Sequence, residues 1–221
     1  MGIISVEKAD RLYWLGRYTE RVYTTIRLYS TRYDIMIDLN KGSYDEFCKN
    51  LDIPNIYTSA EDFKNTYAFS LEDTNSIFSN LMRAYDNAIE LRDTIGSESF
   101  SYIQLAIYEM NKAKISDAPL IELQKVMDNI LVFWGIIDDI IEDEYCRNTI
   151  KVGKRIERID LYARLRLSRE EMLREIKRLA GRIDKTALNY KKSCIQNLFA
   201  LVEFENLDYY KIVQEIEQIL E

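Results

Sequence analysis

The chain contains no histidine. That excludes Ser-His-Asp and Cys-His catalysis, histidine-containing zinc sites and the Glu-x-x-His bundles that hold paired metals. Proline occurs twice and glycine seven times in 221 residues. So few turn formers disfavour a β-sandwich or an α/β sheet and favour long helices with few connections. The three cysteines, Cys48, Cys146 and Cys194, form no C-x-x-C and no even disulfide framework, which fits a reducing cytosol. No apolar run reaches the roughly 20 residues of a membrane span. The start, MGIISVEKAD, has no apolar signal core, and Val6 stands where myristoylation of Gly2 requires Ser or Thr. P-loop and Rossmann glycine patterns are missing, so neither nucleotide site is supported. A net charge of −7 gives no bulk attraction to nucleic acid or anionic lipid. The expectation is a cytoplasmic chain without a cofactor or metal.

What is present suits a helical domain. Apolar residues make up 47% and charged residues 30%, enough to bury a substantial core. Leu12, Leu15, Val22, Ile26, Tyr29, Tyr33 and Ile37 recur at helical steps, with Thr19 in the gap, and predict one helix over 6–39 capped by Ser5. The segment 40–73 is broken, with Gly42, Pro54, a Ser43–Glu46 capping box, and Ser59 and Ser70 as further caps. A second long helix is expected from Thr74 to Ile95, ended by Gly96, with the next from Ser97 to about Ala113. Asp117 and Pro119 mark another start, in a stretch that bends near Asp143 or Glu144 and ends near Leu167. Ser168 with Glu171 forms a second capping box for a helix to Glu203, and Asp208 caps the last helix. The whole reads as one all-α domain over 1–221, a bundle of about seven to nine helices.

The chain repeats a motif within itself. Residues 16–28, GRYTERVYTTIRL, and 153–165, GKRIERIDLYARL, share five of thirteen positions at an offset of 137. Both copies contain GxxxER. A glycine inside a helix costs about 1 kcal/mol, so its recurrence at one place predicts close approach of another chain segment. On a helical wheel Arg17, Glu20, Thr24 and Arg27 form one column, with Arg21 beside it. Lys154, Glu157, Leu161 and Arg164 form its counterpart, with Arg158 beside it. Trp14, Leu28 and Ile35 share the first charged side, and Leu165 the second, so each helix is expected to be enclosed on two sides. Glu and Arg buried there need each other, because the guanidinium fork can satisfy a carboxylate. Arginine is also unevenly placed: five of 16 lie in 11–32, two in 83–92 and nine in 147–182.

LYWLGRYTERVYTTIRL at 12–28 resembles the opening motif of the bacterial alpha-E family. RNTIKVGKRIERIDLYARL at 147–165 resembles its late G-R-x-x-E-R-x-D motif. SIFSNLMRAYDNAIELRDTIGSE at 76–98 is similar to a third segment, with Arg83, Asn87 and Arg92 as polar positions. Tyr85-Asp86 and Lys154 depart from the family pattern, and this is a short form. The resemblance implies a helical protein found beside circularly permuted ATP-grasp and transglutaminase-like proteins, and hence peptide-bond making or processing in the bacterial cytoplasm. An ATP-grasp or transglutaminase-like partner is implied in the same way.

Three functional readings follow. In the first, Arg17, Glu20, Arg21, Arg27, Arg83, Asn87, Arg92, Arg147, Glu157, Arg158, Asp160 and Arg164 line a polar cavity for a peptide or small anion, or form an internal ion-pair network. The arginines outnumber Glu20, Glu157 and Asp160, and an unmatched surplus would call for an anion. In the second, Asp138, Asp139, Glu142 and Asp143 bind magnesium for an isoprenoid-type synthase, against a solvated acidic helix end. In the third, the chain is a scaffold whose tyrosines, Tyr13, Tyr18, Tyr57, Tyr67, Tyr209 and Tyr210, anchor an enzyme partner. Trp14 and Trp134 read as core residues, and Gly135 and Gly181 as further sites of tight helix packing.

Overall fold

The structure is a computed structural model that describes residues 4–39, 43–203 and 207–220; the side chains of 34–39 and Ser43 lie outside the description. The expected Ser43–Glu46 box and the places of Gly2, Ile35, Ile37 and Gly42 therefore lie outside the described residues. Among the described residues there are ten helices and no strand, one helix more than the upper expectation. An isolated antiparallel bridge joins Tyr190 and Leu220. No helix among them is long and apolar enough to cross a membrane. The chain divides into two compact units, Met1–Arg17 with Glu142–Glu221, and Tyr18–Ile141.

The first helix, α1, runs over Val6–Leu39 as its periodicity predicts, and contributes to both units. Ser5 Oγ accepts from the Lys8 amide at 3.2 Å. Within Tyr18–Ile141, α2 (Ser43–Leu51) and α3 (Ala60–Thr66) are short. Short helices gain little from propensity alone, and an aromatic core supports these. Phe63 stacks on Tyr67 at 4.9 Å, with Tyr29, Phe47 and Tyr57 around them. Tyr29 donates to the Lys64 carbonyl at 2.7 Å, and Tyr57 to Asp73 Oδ2 at 2.6 Å.

The helix expected over 74–95 is two pieces. Ser76 caps α4 (Ile77–Glu90), and Leu91 leaves helical geometry before α5 (Arg92–Lys114). Gly96 bends α5 with φ 79° rather than ending a helix. A Cβ there would also lie 2.8 Å from Ile140 Cγ2. The connection at 115–118 leads into α6 (Pro119–Ile140), which packs along α5 through buried Ile103, Met110, Leu123, Ile130 and Phe133. Pro119 takes the first turn as expected, but Asp117 is not the cap; Ala118 holds that place without a side-chain bond.

In the other unit, Asp143 Oδ1 caps α7 (Glu144–Arg164), accepting from the Cys146 amide at 2.8 Å. Ser168 and Glu171 close the expected capping box on α8 (Arg169–Ile183). The helix expected from there to Glu203 is interrupted. Thr186 Oγ1 donates to the Ile183 carbonyl at 2.7 Å and accepts from the Leu188 amide at 3.3 Å. Such side-chain bonds compete with helix continuation, and Tyr190 donating to Asp184 ties the turn. The chain resumes in α9 (Lys192–Glu203) and α10 (Tyr209–Glu217), the latter capped by Asp208. Val152, Ile156, Ile159, Met172, Ile176, Leu179, Leu198 and Ile212 form the core of this unit.

The start of α1 crosses α7 at the duplicated glycines. A Cβ on Gly16 would lie 2.0 Å from the Ile150 carbonyl oxygen, and one on Gly153 2.1 Å from that of Tyr13. Each glycine thus admits the backbone of the other helix. Gly135 and Gly181 do nothing comparable: an added Cβ would meet no atom within 4 Å at either, so the expectation of tight packing there is corrected.

Gly16→Ala and Gly153→Ala should each lower stability by about 3 kcal/mol or more in urea unfolding, because backbone rather than a flexible side chain must move. Gly135→Ala should be neutral or stabilising by up to about 1 kcal/mol, from helix propensity alone. Equal effects at Gly16 and Gly135 would contradict the crossing.

Candidate functional site

The glycine crossing brings Arg17 of the first motif onto Glu157 of the second. Arg17 Nε donates to Glu157 Oε2 at 2.6 Å, where the Glu157 side chain is 0% and the Arg17 side chain 16% exposed. Arg17 Nη1 donates to Tyr13 Oη at 3.2 Å, and Nη2 lies 3.9 Å from Asp160 Oδ2. The guanidinium carbon sits 5.8 Å and 5.2 Å from the centres of the Tyr13 and Trp14 rings, within cation–π range. Burial alone would favour a neutral Arg17, but Glu157, Tyr13 and Asp160 reverse this and hold its proton more firmly than usual. Burial, with Glu157 beside it, pushes the Asp160 carboxyl above its ordinary value against the pull of Arg164 and Arg17.

Arg164 extends the network to α10. Its Nε donates to Asp160 Oδ1 at 2.8 Å, and its Nη2 to Glu217 Oε1 at 2.7 Å. A third buried carboxylate, Glu175 on α8, accepts from Arg155 Nη1 at 2.6 Å and from Arg178 Nη1 at 2.7 Å. Arg158 Nη1 and Arg174 Nε stand 3.9 Å and 3.6 Å from it. Burial pushes the Glu175 carboxyl up, but Arg155, Arg158 and Arg178 outweigh it and hold the group below its ordinary value. Sequence reasoning misses Glu175 and Glu217, and with them much of the compensation for the apparent arginine surplus. Glu175 had a signal: it interrupts the apolar stripe Met172, Ile176, Leu179 and Ile183.

The other expected residues are placed differently. Glu20 and Arg21 belong to the second unit. There Glu20 is fully buried and accepts from Thr24 Oγ1 at 3.0 Å, and the Arg21 carbonyl accepts from Thr25 Oγ1 at 2.6 Å. Arg27 lies over the Tyr23 ring at 5.8 Å. Arg83 donates to the Thr74 carbonyl at 3.1 Å and covers the Tyr18 ring at 5.8 Å. Asn87 donates to the Arg83 carbonyl at 3.0 Å, and Arg92 to Ser97 Oγ at 3.2 Å. Arg147 donates to the Glu142 carbonyl at 3.4 Å.

The tyrosine expectation is corrected in part. Tyr13, Tyr57 and Tyr67 are buried and Tyr18 and Tyr209 half-buried, whereas Tyr210 is 73% exposed. Trp134 is buried as expected, and Trp14 is half-buried. Asp138, Asp139, Glu142 and Asp143 are all exposed, and no group of three potential metal ligands occurs among the described residues. The three cysteines are buried and unpaired by disulfides, and burial raises Cys48 and Cys146 to about 11. That is the opposite of activation.

Beside the Arg17–Glu157 pair opens a cleft of about 520 Å³. Asp10, Tyr13, Trp14 and Arg17 of α1 form one wall, and Leu188 and Glu217 stand among the residues opposite. The cleft exists because the turn at 184–191 interrupts the helix and brings Leu188 there. It combines aromatic and aliphatic surface with one guanidinium and two carboxylates.

Two measurements test the network. Glu157→Ala leaves a buried guanidinium without its main partner and should cost about 3–5 kcal/mol in equilibrium unfolding; a near-neutral melt would refute it. For Glu175, a pKa held below its ordinary 4.5 means its contribution is complete above pH 4.5 and is lost as pH falls through the lowered value. Glu175→Gln should therefore flatten the acid limb of the stability–pH curve; parallel curves would contradict this pairing.

Residues 7–197 match the Alpha-E family, described as a predicted alpha-helical domain with a conserved ER motif. No curated protein and no solved structure matches the chain. Glu20-Arg21 and Glu157-Arg158 are the Glu-Arg pairs of the motif that this chain repeats, and the match runs from the start of α1 to the middle of α9. The chain is therefore a member of the Alpha-E family.

Proposed function

We infer that this protein is a non-catalytic helical module that binds a short peptide segment in the Trp14 cleft, in support of an ATP-grasp-linked peptide synthesis or modification system. The observation that carries this reading is the double role of Arg17. Its guanidinium is locked from behind by Glu157 and forms part of the cleft wall in front. A donor fixed in this way loses little entropy on binding a carbonyl or carboxylate.

The chemistry of the wall suits a dipolar chain. The Trp14 indole and Leu188 offer apolar surface for a side chain, Arg17 donates to a peptide oxygen, and Asp10 and Glu217 accept from an amine. The volume of about 520 Å³ lies within the usual range for small-ligand sites. A simple anion fits less well, because Glu157, Asp160 and Glu217 already face Arg17 and Arg164. The resemblance to a family found beside ATP-grasp proteins supplies the context, and the ATP-grasp protein is the proposed partner.

The chain has two tryptophans, so Trp134→Phe leaves Trp14 as the reporter. Titration of that variant with Phe-containing tetrapeptides bearing free termini should give a saturable change in fluorescence. Adding Asp10→Arg should weaken binding roughly tenfold through loss of the amine acceptor, without lowering the melting temperature. A flat titration, or one indifferent to Asp10, would overturn the peptide reading.

A further inference from the structure

We propose that the groove between α7 and α8 is a second binding site, specific for a small oligophosphate. Five cationic side chains, Arg147, Lys177, Arg178, Arg182 and Lys185, line a depression of about 370 Å³, with Glu144 as the acid in its wall. The site is separate from the Trp14 cleft and shares no residue with it.

Its construction indicates a positioned charge cluster rather than scattered surface lysines. Asn148 is buried, and its Nδ2 donates to the Glu144 carbonyl at 2.9 Å. This fixes the amide so that Oδ1 accepts from Arg182 Nη1 at 3.0 Å. Arg182 is oriented by a neutral partner, so its charge is not cancelled by that bond. Arg178 Nη1 donates to buried Glu175 at 2.7 Å, which positions it and meets part of its charge. The Lys185–Glu144 pair is 3.5 Å long, and both side chains are more than half exposed, so it contributes little and opens readily. Gly181 is among the lining residues, and a Cβ at that position would meet nothing within 4 Å.

The neighbouring Lys151 reports the resulting field. Burial, then Arg182 and Arg155, pull its ammonium down to about 8. Only the Arg182 and Arg155 part of that shift reflects positive charge nearby, since burial disfavours charge of either sign. The protein as a whole carries −7, so attraction arises from these residues and not from bulk charge. The choice of phosphate follows from number and geometry. One carboxylate is satisfied by one arginine fork, whereas several cations lining one groove match an anion with several charged oxygens. The polar walls offer no platform for an apolar tail or a stacked base.

The test is calorimetric titration of the whole chain with sodium tripolyphosphate at low salt. Saturable one-to-one binding that weakens as salt rises is expected. Gly181→Glu places a carboxylate at an open helical position beside the cations and should keep the melting temperature while weakening binding roughly tenfold. Arg182→Gln should weaken it by a similar factor, again roughly tenfold, and the Asp10→Arg variant of the Trp14 cleft should leave it unchanged. Unaltered affinity in Gly181→Glu would overturn the proposal. So would tighter binding, per phosphate, to single-stranded RNA or to phosphatidylserine vesicles than to tripolyphosphate.

Discussion

Two carbonyl oxygens resting on two glycines are the constraint from which the candidate site follows. The Ile150 and Tyr13 carbonyls occupy the places of the Cβ atoms that Gly16 and Gly153 lack. Helices usually pack with their axes 8–10 Å apart, held off by side chains. Here backbone touches backbone at the crossing, and the residue after Gly16 is carried onto the residue four places after Gly153. Arg17 and Glu157 meet as a result, with the carboxylate fully buried. Any side chain at either glycine would separate the helices and leave both charges in a medium that neither tolerates alone.

From that pair, order spreads outward within the same unit. Asp160 is shared by Arg17 and Arg164, and Arg164 reaches Glu217 on α10. Arg155 and Arg178 converge on Glu175 from α7 and α8. These links are directional, whereas the surrounding Val, Ile and Leu contacts are not. They fix the register of α1, α7, α8 and α10 more sharply than apolar packing would. They also hold the Arg17 guanidinium against the Tyr13 and Trp14 rings, beside the cleft that these residues line.

Much of this was legible in the sequence, for identifiable reasons. The α1 span, the caps at Ser5, Ser59, Ser168 and Asp208, and the bend near Asp143 rest on local signals, and local signals suffice for helix ends. The duplicated GxxxER made Gly16, Gly153, Arg17 and Glu157 readable because a rare residue recurred at equal spacing. Gly135 and Gly181 have no such partner, and their surroundings are open. The interruption at 184–191 depends on Thr186 and Tyr190 bonding back to the chain, a choice that periodicity does not encode. The arginine excess misled for another reason. The balancing acids, Glu175 and Glu217, lie outside the motifs and reach them only through tertiary folding.

A double-mutant cycle on Arg17 and Glu157 tests the central pairing most directly, using Arg17→Met, Glu157→Leu and the combined variant in urea unfolding. Each single change should be costly and the pair much less so, giving a coupling energy of about 2–3 kcal/mol. Additive losses, with a coupling near zero, would show that the two side chains do not depend on each other and would contradict the account.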